Sequence, residues 1–205
     1  MEQPPFGTNT YMIQAEGERG VWIVDPSGDP ASVFGKLTQW GREPERILLT
    51  HGHMDHWLGA RAIQDQWDVP VYLDPRDFHL IDASAGRLFG LSLLPLPRRV
   101  TPYEGDTLTL GDHQWRLVDA PGHSPGHLLF LGEGHALVGD VLFRGSIGRM
   151  DLPGGCETTM KKTLEEVVLT LPLDYDILPG HGPPTTMERE RRENPYLRRE
   201  GWLTK

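Results

Sequence analysis

The stretch Thr50–Ala60, THGHMDHWLGA, sets His51, His53, Asp55 and His56 within six residues of a chain that holds nine histidines in all. Before it, Ile47–Leu49 closes a short apolar run; after it, Leu58, Ala62, Ile63 and Trp67 recur at helical spacing. The cluster therefore reads as a strand-to-helix loop. In an extended segment, residues two apart point the same way. His51 and His53 can thus offer their imidazoles to one point, while Asp55 and His56, entering the helix, turn elsewhere. Crowding three imidazoles and a carboxylate without a cation costs desolvation and repulsion, so the loop is expected to serve metal, and one such loop can serve two ions.

Two ions need more donors than one loop holds. Three further stretches place them where an apolar run gives way to a turn: DAPGHSPGH carries His123, HALVGDVLF carries Asp140 and YDILPGHGPP carries His181. Any one of these alone would mean little. Donors at several strand ends, however, can converge on one edge of a sheet core, and loops on a rigid scaffold favour function. Nitrogen and oxygen donors without sulfur suit zinc, iron or manganese about equally.

The remaining pattern describes a mixed α/β scaffold. The chain has 205 residues, 38% of them hydrophobic, and one domain over 1–205 is expected. Strand signals are TYMIQAE, GVWIVDP, ERILLT, PVYLD, DTLTL, HQWRLVDA, HLLFLG, HALVGD and YDILPG. Between them, Val33, Phe34, Leu37 and Trp40 form one helical face, and Met160, Leu164, Val167, Val168 and Leu171 form another. The 24 glycines and 18 prolines imply many tight turns.

Charge and composition exclude several function classes. The formal charge is −9, and the one arginine-rich stretch, ERERRENPYLRRE, is interrupted by glutamates. No nucleic-acid partner is expected, since such binding rests on clustered cations. This end of the chain is expected to form a solvated helix opened by a capping box from Thr185 and Glu188. No segment approaches the ~20 apolar residues of a bilayer span, and MEQPPFGTNTYMIQ lacks the regions of an export signal. No membrane partner and a cytoplasmic location are therefore expected. The single Cys156 can form neither an internal disulfide nor a cysteine-based zinc site.

Together these motifs resemble the metallo-β-lactamase superfamily. HGHMDH matches its H-x-H-x-D-H signature, and PGHSPGH, GD and GHG follow in the family's order, over nearly the whole chain from VDPSG into ENPYL. The resemblance implies an αββα sandwich, two sheets face to face with helices outside, which periodicity alone does not give. It further implies two divalent metal ions, with zinc the first choice and iron or manganese the alternatives. One ion would sit on His51, His53 and His123, and the other on Asp55, His56 and His181. Asp140 and a water or hydroxide would bridge them, which makes Asp55 and Asp140 the residues nearest to catalysis. Asp25 matches a family position and would brace the metal loop from behind, as would His127. His79, His113 and His135 match no motif and are given no role.

Ions ~3.5 to 4 Å apart can bring a shared water's pKa toward ~7 and polarise a carbonyl, so hydrolysis by a metal-bridging hydroxide is the expected reaction. A thiolate, with thiol pKa ~8.5, departs without a strong acid, whereas an amide nitrogen needs protonation. No further motif offers that acid, so a thioester is the expected substrate. GDVLFRGSIGRMDLPGG, GHGPPTT and ENPYL most resemble the short bacterial branch of glyoxalase II-like hydrolases. Glyoxalase II hydrolyses S-lactoylglutathione and holds the glutathione with a C-terminal helical domain, before which this chain ends. The resemblance then leaves Arg149, in GSIGRMD, to meet a small anionic thioester, with a pocket completed in a homo-oligomer as a further expectation. An alternative on the same framework is a persulfide dioxygenase, similar through GRMDLPGGC, with one iron on His51, His123 and Asp140. A third is a metal-bound scaffold without turnover, which retention of all seven donors disfavours.

Overall fold

The computed structural model describes residues 1–91, 94–198 and 202, with the main chain alone at residues 88 and 89. All nine apolar runs form strands, and they fall into two sheets. In the first the order is Tyr11–Ile13, Gly20–Val24, Glu43–Leu48, Val71–Tyr72, Val100–Thr101, antiparallel at the first pairing and parallel at the others. In the second the order is Thr185–Thr186, Asp176–Pro179, His135–Gly139, Leu128–Leu131, His113–Asp119, Thr107–Leu110, parallel only between Asp176–Pro179 and His135–Gly139.

Successive side chains of a strand face opposite ways, and in the central strands both faces are covered. Trp22, Val24 and Leu48 of the first sheet pack on Leu117, Leu128, Phe130 and Leu137 of the second. Their neighbours Val21, Ile23, Ile47 and Leu49 pack outward on Val33 and Leu37 of α1 (Ala31–Trp40) and Ile63 of α2 (Ala60–Trp67). On the other side, Leu129, Leu131, Ala136 and Val138 meet Met160 and Leu164 of α3 (Glu157–Glu166) and Met187 of α4 (Met187–Glu193). The layers run helix, sheet, sheet, helix, which is the αββα sandwich. Covering both faces explains why Gly20–Val24, Leu128–Leu131 and His135–Gly139 read as continuous apolar runs, whereas Thr107–Leu110 and His113–Asp119 keep exposed polar residues on one face. Each fully buried core side chain, Phe130 for example, contributes roughly 1.5–3 kcal/mol.

The chain carries two short ribbons with no signal in the sequence: Glu2–Gln3 with Thr8–Asn9, and Leu142–Phe143 with Ser146–Ile147. A strand of two residues is too short to show alternation. The last helix also departs from expectation. Its cap is Thr186, whose hydroxyl accepts from the Arg189 N–H at 3.3 Å, while the Thr185 hydroxyl instead donates to Glu190 at 2.6 Å. Nor is the helix solvated all round, because Met187 and Glu190, with Asn194 just beyond the helix end, are buried. Arg199 and Glu200 of the same stretch lie outside the described residues. Among the described residues, no helix is long and apolar enough to cross a membrane.

Strand direction places the donors. His113–Asp119 runs parallel to His135–Gly139, since both are antiparallel to Leu128–Leu131, and Asp176–Pro179 runs the same way. His123, Asp140 and His181 therefore all follow strand ends on one edge.

Candidate metal centre

After the strand Glu43–Leu48 the main chain is extended at His53 (φ −68°, ψ 143°), turns through a 3-10 helix at Met54–His56, and enters α2 at Ala60. The short 3-10 turn, where the sequence suggested the helix itself, is what swings Asp55 and His56 away from His51 and His53. His51, His53 and His123 bring one donor atom each to within 4.8 Å of one another, and Asp55, His56 and His181 do the same. A third such group, His51, His56 and Asp140, spans the first two. Asp140 Oδ1 lies 3.4 Å from His56 Nε2, and its Oδ2 lies 3.5 Å from both His123 Nε2 and His181 Nε2. One carboxylate thus faces both sets. Gly180 permits this closeness, because a methyl group there would overlap Asp140 Oδ1.

The far side of three of the five rings is fixed. His51 Nδ1 lies 3.0 Å from Thr50 Oγ1, His56 Nδ1 donates to Asp25 Oδ2 at 2.9 Å, and His123 Nδ1 donates to the Arg149 carbonyl at 2.7 Å. Such bonds set the tautomer and turn Nε2 toward the other donors. His53 Nδ1 stands 2.8 Å from His123 Nε2. The Nε2 atoms of His51, His53 and His56 and Asp140 Oδ1 are buried without a hydrogen-bond partner. Buried polar atoms are rarely left so. A divalent cation suits this nitrogen and oxygen donor set and would satisfy the orphaned atoms among it, so the residues present fit the metal that the motifs imply.

Asp25 and His127 stand behind the donors. Asp25 accepts from the Thr50 N–H at 2.8 Å and the Thr50 hydroxyl at 2.7 Å as well as from His56. It does so with φ at 49°, left-handed for a non-glycine residue, a strain of about 1–3 kcal/mol that only its surroundings maintain. His127 Nε2 accepts from the Asp140 N–H at 3.0 Å, and its ring stacks on His51 with centroids 4.8 Å apart.

Several contributors have no local signal in the sequence. The Thr8 hydroxyl donates to Asp55 Oδ2 at 2.9 Å, and the Asn9 side chain donates to the Pro179 and Gly182 carbonyls at 3.0 and 2.7 Å, gripping the turn that carries His181. The Phe143 ring meets His181 edge-on at 6.0 Å. The Arg149 side chain makes two bonds to Asp151, at 2.7 and 2.6 Å, so its link to the centre is its carbonyl rather than its guanidinium. Cys156 is exposed at the start of α3 and belongs to none of the donor groups. A cavity of about 590 Å³, lined by Trp40, Trp115, His113 and His135 among others, opens at the starts of strands whose ends carry Asp140 and His181. None of the seven donors lines it, and the chemistry belongs to the opposite edge.

The carboxylates and imidazoles of the centre shift one another's protons. Burial disfavours charge on Asp55, yet His56 and His181 keep its pKa at about 2. Asp140 is likewise held well below the carboxylate range, His56 and His181 overriding burial. Against burial, His181 is raised to about 9 by Asp140 and Asp55, and His56 is raised well above its ordinary value by Asp140, Asp55 and Asp25. Burial, with neighbouring imidazoles, lowers His53 to about 4 and pushes His51 and His127 well below the ordinary range. His56 and His181 thus set positive charge against Asp55 and Asp140.

The sequence profile of the metallo-beta-lactamase superfamily matches residues 4–181. The chain belongs to the metallo-β-lactamase superfamily. Members are mostly hydrolytic metalloenzymes that bind divalent metals, and the His and Asp groups described here are this member's candidate sites. The probable metallo-hydrolase YqgX of Bacillus subtilis is 36% identical over 200 residues, 94% of this chain and 93% of that one. The hydroxyacylglutathione hydrolase GloC of Haemophilus influenzae is 33% identical over 199 residues, again 94% and 93%. Among solved structures, BLEG-1 B3 metallo-beta-lactamase matches with a TM-score of 0.87 at 33% identity, over 96% of this chain and 97% of that one. TTHA1623 in a di-iron-bound form matches with a TM-score of 0.86 at 35% identity, over 96% and 98%.

Proposed function

We propose that this chain is a binuclear metal-dependent hydrolase of small anionic acyl thioesters, such as S-lactoylglutathione or a related acyl-thiol. The observation that carries the reading is the position of Asp140, one carboxylate facing His56 and His181 of one donor set and His123 of the other. Two divalent ions, zinc first and iron or manganese as alternatives, would be held by His51, His53 and His123 and by Asp55, His56 and His181, with Asp140 shared. When bound, they supply a water acidic enough to attack at neutral pH and a Lewis acid for the carbonyl.

The chain's own groups do the rest. Asp25 and Thr50 orient His56 and His51, and the Arg149 carbonyl orients His123, so these three imidazoles are aimed before metal arrives. Asp55, with its pKa at about 2, is too weak a base to take a proton at neutral pH; its Oδ2, steadied by Thr8, orients instead. Asp25 is committed to Thr50 and His56, and His127 to the Asp140 main chain. Neither is available to protonate an amide nitrogen, and a thiolate leaves without such help. The Arg149–Asp151 pair is exposed, so a substrate carboxylate can compete with Asp151 for the guanidinium there. The similarity to a hydroxyacylglutathione hydrolase supports the thioester.

A second reading, β-lactam hydrolysis, has the similarity to BLEG-1 on its side. Protein loaded separately with zinc, iron and manganese, assayed against S-lactoylglutathione, simpler acyl thioesters and a chromogenic cephalosporin, separates the two. Thiol release, abolished in Asp140→Ala, supports the proposal. Turnover of the cephalosporin alone favours the second reading. Oxygen uptake on glutathione persulfide, with one iron bound, would favour a dioxygenase, which has no use for Asp55 and His181.

A further inference from the structure

Outside the seven donors, Asp77 is a carboxylate with no exposed surface and, among the described residues, no ion pair. It sits in a 3-10 turn, Pro75–Leu80. Burying a carboxylate without a counter-charge is costly, and what offsets the cost is a set of three neutral donors. Asp77 Oδ2 accepts from the Gly52 N–H at 2.9 Å and the Ser124 hydroxyl at 2.6 Å, and Oδ1 accepts from the Gly126 N–H at 2.6 Å. Gly52 stands between His51 and His53, and Ser124 directly follows His123. A Cβ at Gly52 would come within 2.8 Å of the Asp77 carbonyl oxygen and 3.1 Å of its Cβ, so the bare backbone is what lets the turn close on the loop.

From this geometry we infer that Asp77 is the positioning residue of the His51–His53–His123 site, clamping the two loops that supply its three donors. The other set has its own braces. Thr8 holds Asp55, Asn9 holds the turn at His181, and Asp25 holds His56. None of these bonds involves Asp77. Asp55 and His56 share the first loop but are held by these separate bonds, so the clamp acts chiefly on one ion. The inference rests on the metal reading of the proposed function and deepens it by making the two sites separable.

The test is zinc titration of metal-free protein against a chromophoric chelator, with the retained ion located by anomalous diffraction. Asp77→Asn keeps the size but turns one acceptor into an NH2 group facing an N–H or hydroxyl donor. It is expected to bind one ion as wild type does, at Asp55, His56 and His181, and the other about 10- to 100-fold more weakly, the usual range for groups that hold ligands. Thr8→Val, which loses its bond to Asp55, is expected to show the opposite preference. Val168→Ala in the core should lower the melting temperature without moving either affinity. Equal weakening of both ions in Asp77→Asn, no weakening, or the same selective loss in Val168→Ala would overturn the assignment. If Asp77→Asn does not fold, Ser124→Ala, which removes one of the three donors, is expected to weaken the same ion by a smaller factor, and unchanged affinity there would equally overturn it. Wild-type protein that takes up no zinc would instead defeat the metal reading, a result distinct from any change confined to the variants.

Discussion

His56 and His181 neutralise Asp55 and Asp140 in the metal-free centre as protonated imidazoles, and each must lose its proton to ligate. With His181 at about 9 and His56 raised well above its ordinary value, zinc binding at pH 7 should release close to two protons from these histidines and up to one more from the bound water, while His51 and His53, already neutral, release none. Calorimetry in buffers of different ionisation enthalpy measures this, and binding without proton release would contradict it. Because Asp140 faces both sets, Asp140→Ala should reduce metal content at both positions; loss of a single ion would mean the carboxylate is not shared. The seven side chains that the structure brings together could be singled out in the sequence because their motifs are local, a cluster in one loop and three strand-end turns. Asp77, Thr8 and Asn9 were not, because a lone aspartate, threonine or asparagine gains meaning only from a tertiary partner, Asp55 lying 47 positions from Thr8.

At the level of elements, α4 does more than close the chain. Asn194, fully buried, donates to the Phe143 and Ser146 carbonyls at 3.3 and 3.0 Å and to Glu190 at 2.8 Å. Glu190 in turn accepts from the Gly145 N–H at 2.8 Å. This network pins the ribbon whose Phe143 ring rests on His181. Asn194→Ala removes the side-chain donor to the Phe143 and Ser146 carbonyls and leaves Glu190 with Gly145 and Thr185 alone, and should cost about 1–3 kcal/mol in chemical denaturation; a loss under ~0.5 kcal/mol would argue against the network. The longer strands and helices could be read from period and turn residues. The two-residue ribbons could not, and the cap moved from Thr185 to Thr186 because the Thr185 hydroxyl is drawn to buried Glu190. Local pattern loses there to a buried carboxylate's demand for donors.

For the molecule as a whole, the sandwich required the family resemblance, since alternation yields strands but not which faces meet. Its centre also shapes stability against pH. His181 has a pKa of about 9 in the folded metal-free protein against an ordinary 6.5, so the stability it confers is complete below about 6.5 and is lost as pH climbs through 9. His53, at about 4 against 6.5, stays neutral in the fold while the unfolded chain takes up a proton, so stability falls as pH drops from 6.5 toward 4. Asp55, at about 2 against 3.8, adds a loss only as pH falls through that lower range. The metal-free melting temperature is therefore expected to peak near 6.5, the ordinary value from which both histidines depart in opposite directions. A steady rise from pH 4 to 9 would contradict this. The most direct check of the central claim is anomalous diffraction from wild-type crystals grown with zinc. Two peaks are expected, one among His51, His53 and His123 and one among Asp55, His56 and His181, with Asp140 between them; a single peak, or none touching Asp140, would contradict the account.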